Sequence, residues 1–192
     1  MLAPEKLKKY QKAKFANYKK INNLRIKNNE VYINLKVDKY DSVISEYSLA
    51  SSPSLKKEFI EVIESNTSII PLDYPLVLEI HNKTFTTEEK NTIRKLIKNH
   101  FTLISIDKEA ELKRINQKCL YFLIIGIVTF IISMLLYTSQ IVSFYEILYF
   151  IASFSIWEFG ELLIFDRDDI KEEVIKYKQL SQMRITYNKE DS

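Results

Sequence analysis

The chain has 192 residues with 28 Lys and Arg against 25 Asp and Glu, and its net charge of +3 hides an uneven split: 22 against 15 through Lys118, then 6 against 10. Its two glycines, Gly126 and Gly160, lie in or beside long apolar runs. Phosphate-cradling loops need glycine where the backbone approaches the ligand, so neither a P-loop nor a dinucleotide fingerprint can be written in the polar parts.

Residues 1–28 predict a basic helix. Nine Lys or Arg and one acid fall within residues 1–27. Pro4 suits a first helical position, and Leu7, Tyr10, Tyr18, Ile21 and Leu24 recur at three-to-four spacing. Such a helix can lie on anionic lipid through Lys8, Lys9, Lys12, Lys19 and Lys20, each adding about 1 kcal/mol of attraction near the surface. The plainer reading is a solvated helix packing one weak stripe on the following domain. Nucleic acid ranks below both, because no stacking motif accompanies the charge. Residues 1–30 are too charged to form the apolar core of a cleavable signal, so none is expected.

Residues 29–107 predict an α+β domain. Val31, Ile33, Leu35 and Val37 alternate with polar residues, as in a strand with one buried face. Ser51-Ser52-Pro53 opens a helix to about Glu64, with Leu55, Phe59, Val62 and Ile63 as its apolar stripe. Leu76 to His81 reads as a second strand, bracketed by Pro75 and Asn82-Lys83. Thr86-Thr87-Glu88-Glu89 is a capping box, so a helix should start there and run to about His100, burying Ile93, Leu96 and Ile97. Phe101 to Ile106 reads as a third strand, and Asp107 as the cap of a helix that continues into the apolar run.

Residues 108–165 predict a linker helix and a two-span hairpin, with spans at about 119–138 and 141–162. Residues 119–145 carry no charged side chain, and a span needs about 20 mostly apolar residues. Thr138-Ser139-Gln140 makes the polar turn. Lys108, Lys113, Arg114 and Lys118 precede the first span, and Arg167, Lys171, Lys176 and Lys178 follow the second. Lys and Arg are retained on the cytoplasmic side during insertion, which puts both termini there in an inner (plasma) membrane protein. Residues 166–192 then predict a helix and a strand over Met183 to Tyr187, returning to the sheet edge. In that case the second helix is about 40 residues long.

Within the hairpin, Glu158 and Glu161 share a helix face, and carboxylates at membrane depth are functional candidates. The favoured alternative is positional: 20 residues from Ile141 end at Gly160, so both acids reach the headgroup zone, with Trp157 as an interfacial anchor. Glu146, Tyr149, Ser153, Trp157 and Gly160 form one stripe on the second helix, and Gly126, Thr129 and Ser133 form one on the first. Small residues let helices approach closely in lipid, so these stripes read first as packing inside one hairpin. The sharper reading is self-association, with Glu146 at the mouth of a pore.

The remaining chemistry-bearing residues point to no reaction. His81 and His100 end a predicted strand and helix, and with Cys119 alone as a thiol they make no metal set. That single thiol permits no intramolecular disulfide; it reads as a buried structural group, with juxtamembrane lipidation as the alternative. Asn66-Thr67-Ser68 and Asn82-Lys83-Thr84 match glycosylation triplets, but cytoplasmic placement makes them chance matches. The expected molecule is therefore an α+β cytosolic domain, βαβαβ-like with three or four strands and two to three helices, plus an α-helical transmembrane hairpin. Its expected role is a non-enzymatic anchor with no cofactor, whose partners are membrane lipid, a second copy and a cytosolic partner or ligand. The alternative is a homo-oligomeric pore or effector gated by that domain.

Overall fold

The computed structural model describes residues 13, 15–17, 19, 20, 25–48, 53–138 and 142–188. Two compact units emerge: Met1–Leu103 with Lys176–Ser192, and Ile104–Ile175. Four strands, β1 (Arg25–Lys27), β2 (Glu30–Lys36), β3 (Leu76–His81) and β4 (Arg184–Asn188), form one sheet in that order. The helices are α1 (Lys57–Thr67), α2 (Thr87–Thr138), α3 (Val142–Glu161) and α4 (Arg167–Ser181), with a π turn at Leu162–Asp166 joining the last two. The result is mixed α/β with a four-stranded sheet and two long apolar helices.

In the first unit, β1 and β2 pair antiparallel, whereas β2–β3 and β3–β4 pair parallel. A two-residue turn closes the hairpin, with Asn28 at φ 52° and Asn29 at φ 64°. Primed hairpin turns need positive φ, and Asn tolerates it better than most residues. Arg25 to Lys27 thus leave the predicted basic helix to become an edge strand. Residues 13, 15–17, 19 and 20 are helical, and Phe15 is buried 5.5 Å from the Tyr74 ring. Lys8, Lys9, Lys12, Tyr10, Tyr18, Ile21 and Leu24 lie outside the described residues.

The register sorts the sheet into two faces. Val31, Ile33, Leu76, Leu78, Ile80 and Ile185 share one face and are all buried. Phe59, Ile60 and Ile63 of α1, and Ile93, Ile97 and Phe101 of α2, also belong to the core. From β2 through β3 to β4 the chain always steps the same way across the sheet. Right-handed crossovers in one direction place their connections on the same face, which leaves the other without a crossover helix.

Several expectations change. α1 begins at Lys57, its buried side is Phe59, Ile60 and Ile63, and Val62 is 40% exposed. Leu55 instead bridges to Ile44, while Ser51 and Ser52 lie outside the described residues. The capping box forms: Glu89 accepts from the Thr86 amide at 2.7 Å, and Thr86 Oγ1 accepts from the Glu89 amide at 3.2 Å. The expected strand Phe101–Ile106 does not exist, and Asp107 caps nothing, because α2 continues through both. Ile93, Ile97, Phe101 and Ser105 are buried four residues apart, whereas Leu103 and Ile106 are exposed. Helical spacing outweighed the strand-like composition, and neither Gly nor Pro interrupts the segment. The C-terminal strand pairs with β3, and Leu180 and Met183 just before it are buried.

In the second unit, α2 and α3 run antiparallel. Cys119, Gly126 and Ser133 are buried on α2 at intervals of seven, and Ala152, Ser155 and Leu162 are buried across the seam. A Cβ on Gly126 would stand 2.9 Å from Ile156 Cγ1 and 3.5 Å from Ser155 Cβ, so only glycine allows this approach. The hydroxyls in the seam donate to their own helix backbones: Ser133 to Phe130 at 2.9 Å and Ser155 to Ile151 at 2.8 Å. Both helices are long and apolar enough to cross a membrane, yet only 17% of each apolar window is buried. At the polar end, Lys108 bridges Glu111 at 3.0 Å and Glu173 at 2.6 Å, and Arg167 donates to Asn116 at 3.0 Å. Donating to the Glu173 carboxylate, and then to that of Glu111, holds the Lys108 ammonium well above its ordinary pKa.

Candidate functional site

The face without crossover helices carries mostly polar residues around the fully buried Val77, because its residues sit one position out of register with the core set. Arg25, Tyr32, Val77 and Arg184 lie along one line across the strands, followed by Asn34, Glu79 and Thr186, then Lys36, His81 and Asn188. Glu79 occupies the middle of β3 and is only 5% exposed. A buried charge needs partners, and both of its oxygens have one. Arg25 Nη2 donates to Oε2 at 2.8 Å, and the Asn188 amide donates to Oε1. Arg25 also lies 4.7 Å from the Tyr32 ring centre, and Arg184 pairs with Glu30. Asn34, Lys36, Arg184 and Asn188 are exposed around this centre, with Thr186 and His81 half-buried. The cluster is therefore a polar surface whose central carboxylate, the buried Glu79, is held by the half-exposed Arg25.

Sequence reading passed over Glu79, because a single acid inside an apolar strand looks like a break in pattern. Its signal was positional: in a six-residue strand with five buried positions, an acid must be paired. His81 ends β3, and His100 is half-buried with its ring 5.2 Å from that of Phe101. Burial lowers the His100 pKa, against a smaller opposing pull from Glu64. Among the described residues, no three His, Cys, Asp or Glu side chains are grouped to hold a metal ion.

The second candidate is a groove on the hairpin. It encloses about 680 Å³ and is lined by Phe130 of α2 together with Tyr149, Ser153, Trp157, Gly160 and Glu161 of the second helix. Most of the stripe read as intra-hairpin packing is found here, outside the seam. Tyr149 and Trp157 are 55% and 72% exposed, and nothing lies within 4 Å of a Cβ built on Gly160. Ser153 Oγ satisfies itself by donating to the Tyr149 carbonyl at 2.9 Å. The π turn follows at once and brings Ile164 and Phe165 into the lining.

Gly126 belongs to the closed seam, so the two glycines have opposite situations. Glu158 is half-buried and Glu161 exposed, one turn apart. Glu146 is exposed and stands at the other end of α3, about 18 Å or more along the axis from them. The structure therefore joins Glu158 and Glu161 and leaves Glu146 separate. Lys19 and Lys20 are exposed. No family of known proteins, curated protein or solved structure matches this chain.

Proposed function

We propose that the chain is a non-enzymatic two-span membrane protein whose α/β unit binds a partner or ligand on its polar sheet face. The observation that carries the membrane part is outward exposure: in both apolar windows only 17% of residues are buried. A core helix of a water-soluble protein hides such a surface, and contiguous apolar patches of this extent mark a membrane or another protein. The Lys and Arg that flank both spans, with none in residues 138–140, support cytoplasmic termini in the inner (plasma) membrane. Anchorage and recognition need no catalytic group.

The test is extraction. Membranes from cells making the full chain are washed with alkaline carbonate, and the pellet and supernatant are blotted. Retention in the pellet is expected, whereas release into the supernatant would remove the membrane reading. For the recognition part, a photo-reactive amino acid at the exposed Asn34 should give a discrete cross-linked adduct in cells. A clean absence of adducts there, and at Lys36, would leave the sheet face without a partner.

A further inference from the structure

From Ser105 to Leu136, α2 has a buried or half-buried residue at every alternating step of three and four. That is the heptad repeat of helices packed side by side. The helix that returns along it repeats the steps through Leu148, Ala152, Ser155, Phe159 and Leu162, and again through Arg167, Ile170 and Val174. Between Leu162 and Arg167 the step is five, and the π turn, whose i to i+5 bonding takes in one extra residue, absorbs it. The sequence explains why. Continued as plain α-helix, the steps from Leu162 would bring Asp166, Asp169 and Glu173 into the seam in place of Arg167, Ile170 and Val174.

Counted back from Arg167 in the same steps, the heptad passes through Leu163, Gly160, Ile156, Ser153 and Tyr149. This second stripe is in phase with α4 and one residue out of phase with the seam that α3 uses. We infer that the π turn is a joint between two registers of α3. In the register described above, Ala152, Ser155 and Leu162 are buried, and the π turn corrects the phase before α4. In the other, α3 turns about its own axis by one residue, about 100°, and the π turn relaxes into α-helix. Each place on the seam then passes to the next residue, from Ala152 to Ser153, from Ser155 to Ile156 and from Phe159 to Gly160. Gly126 lies against both Ser155 and Ile156, so it can receive either. Gly160 gains a use. Nothing lies within 4 Å of a Cβ built on it in the first register, whereas on the seam a small residue lets the helices close. α4 keeps its face in both registers, and with it the contacts of Glu173 with Lys108 and of Arg167 with Asn116. The inference stands on the phase of burial within this unit and goes beyond anchorage and recognition.

The deciding experiment is disulfide mapping of the full chain in detergent, with Cys119→Ala to remove the native thiol and copper phenanthroline as oxidant. Gly126 stands level with Ser155 and Ile156, so Thr129, three residues on, stands level with Ala152 and Ser153. Thr129→Cys with Ala152→Cys reports the first register, and Thr129→Cys with Ser153→Cys reports the second. Closure is read as protection from a maleimide mass tag in the single-chain band, and both pairs should close. Deleting the exposed Phe165 removes the extra residue, so the first seam meets α4 through plain α-helix. The Ser153 pair should then close at least tenfold more slowly, while the Ala152 pair closes as before. Gly160→Leu should act in the same way by filling the second seam, and it leaves the first untouched because the position there is open. A Ser153 pair that never closes, or that closes as fast as in its parent after either change, would overturn the proposal. So would loss of the Ala152 pair in either variant, since both changes should leave the first register intact.

Discussion

Glu79 shows how a single side chain can organise a surface. Its carboxylate is buried, and Arg25 reaches it from the edge strand while remaining half in water. Removing one partner of a buried pair costs more than removing both, since the survivor keeps its desolvation penalty. Arg25→Met should therefore destabilise the α/β unit by about 2 kcal/mol, and Arg25→Met with Glu79→Leu should recover most of the loss. A thermal melt of the three proteins checks this, and a double variant no better than the single would contradict it. Tyr187 gives the pH dependence. Its hydroxyl donates to the Lys90 carbonyl at 2.8 Å, and burial, opposed by the nearby Arg94, raises its pKa from 10.0 to about 12. The unfolded chain ionises first, so this contribution is intact below pH 10 and fades as the pH rises from 10 towards 12. Tyr187→Phe should lose stability less steeply over that interval in alkaline melts, and equal slopes would remove Tyr187 as the cause.

Helices and strands were legible in proportion to their punctuation. Leu76 to His81 was found at its true bounds because Pro75 and Asn82 bracket an apolar run. The start of α2 was legible because the capping box is a local device, complete within Thr86 to Glu89. Its length was not, because Phe101 to Ile106 is rich in strand-forming residues and only the four-residue spacing of Ile93, Ile97, Phe101 and Ser105 betrays a helix. β1 escaped because three residues with one apolar side chain carry no period, leaving the Asn28-Asn29 turn as the only sign. Gly126 and Ser133 are buried on α2 and Ala152 and Ser155 on α3, whereas Ser153, in the small-residue stripe that the sequence offers for packing, is exposed. A helical wheel shows which residues share a face, not which of two small-residue faces is used. The glycines turn this into a prediction. Gly126→Leu forces a side chain into Ile156 and should cost about 1–3 kcal/mol, lowering the helical melting temperature in detergent. Gly160→Leu should leave the melting temperature of the isolated hairpin fold unchanged, and equal effects at both sites would contradict the seam.

At the scale of the molecule, the α/β unit is discontinuous in sequence, with residues 104–175 inserted between its two parts. The last segment is more than an edge strand. It brings the buried Met183 and Ile185, the Asn188 amide on Glu79, and the Tyr187 contact with Lys90. Met or Ile truncated to Ala in a core costs about 2–5 kcal/mol, a large share of the total of about 5–15 that holds a domain together. A chain ending at Gln182 should therefore lose protection of the β3 amides in hydrogen exchange, while its apolar helices stay membrane-bound. Retained protection in β3 would show that the first three strands suffice. Synthesis adds a timetable to this arrangement. β3 and β4 are separated by about a hundred residues, so at about 5–20 residues per second the central strand waits on the order of ten seconds for its second neighbour. Both apolar helices emerge during that wait. On the proposed membrane reading, the hairpin is therefore offered for insertion while the sheet still lacks its last strand, and the α/β unit closes only after both apolar helices have been made.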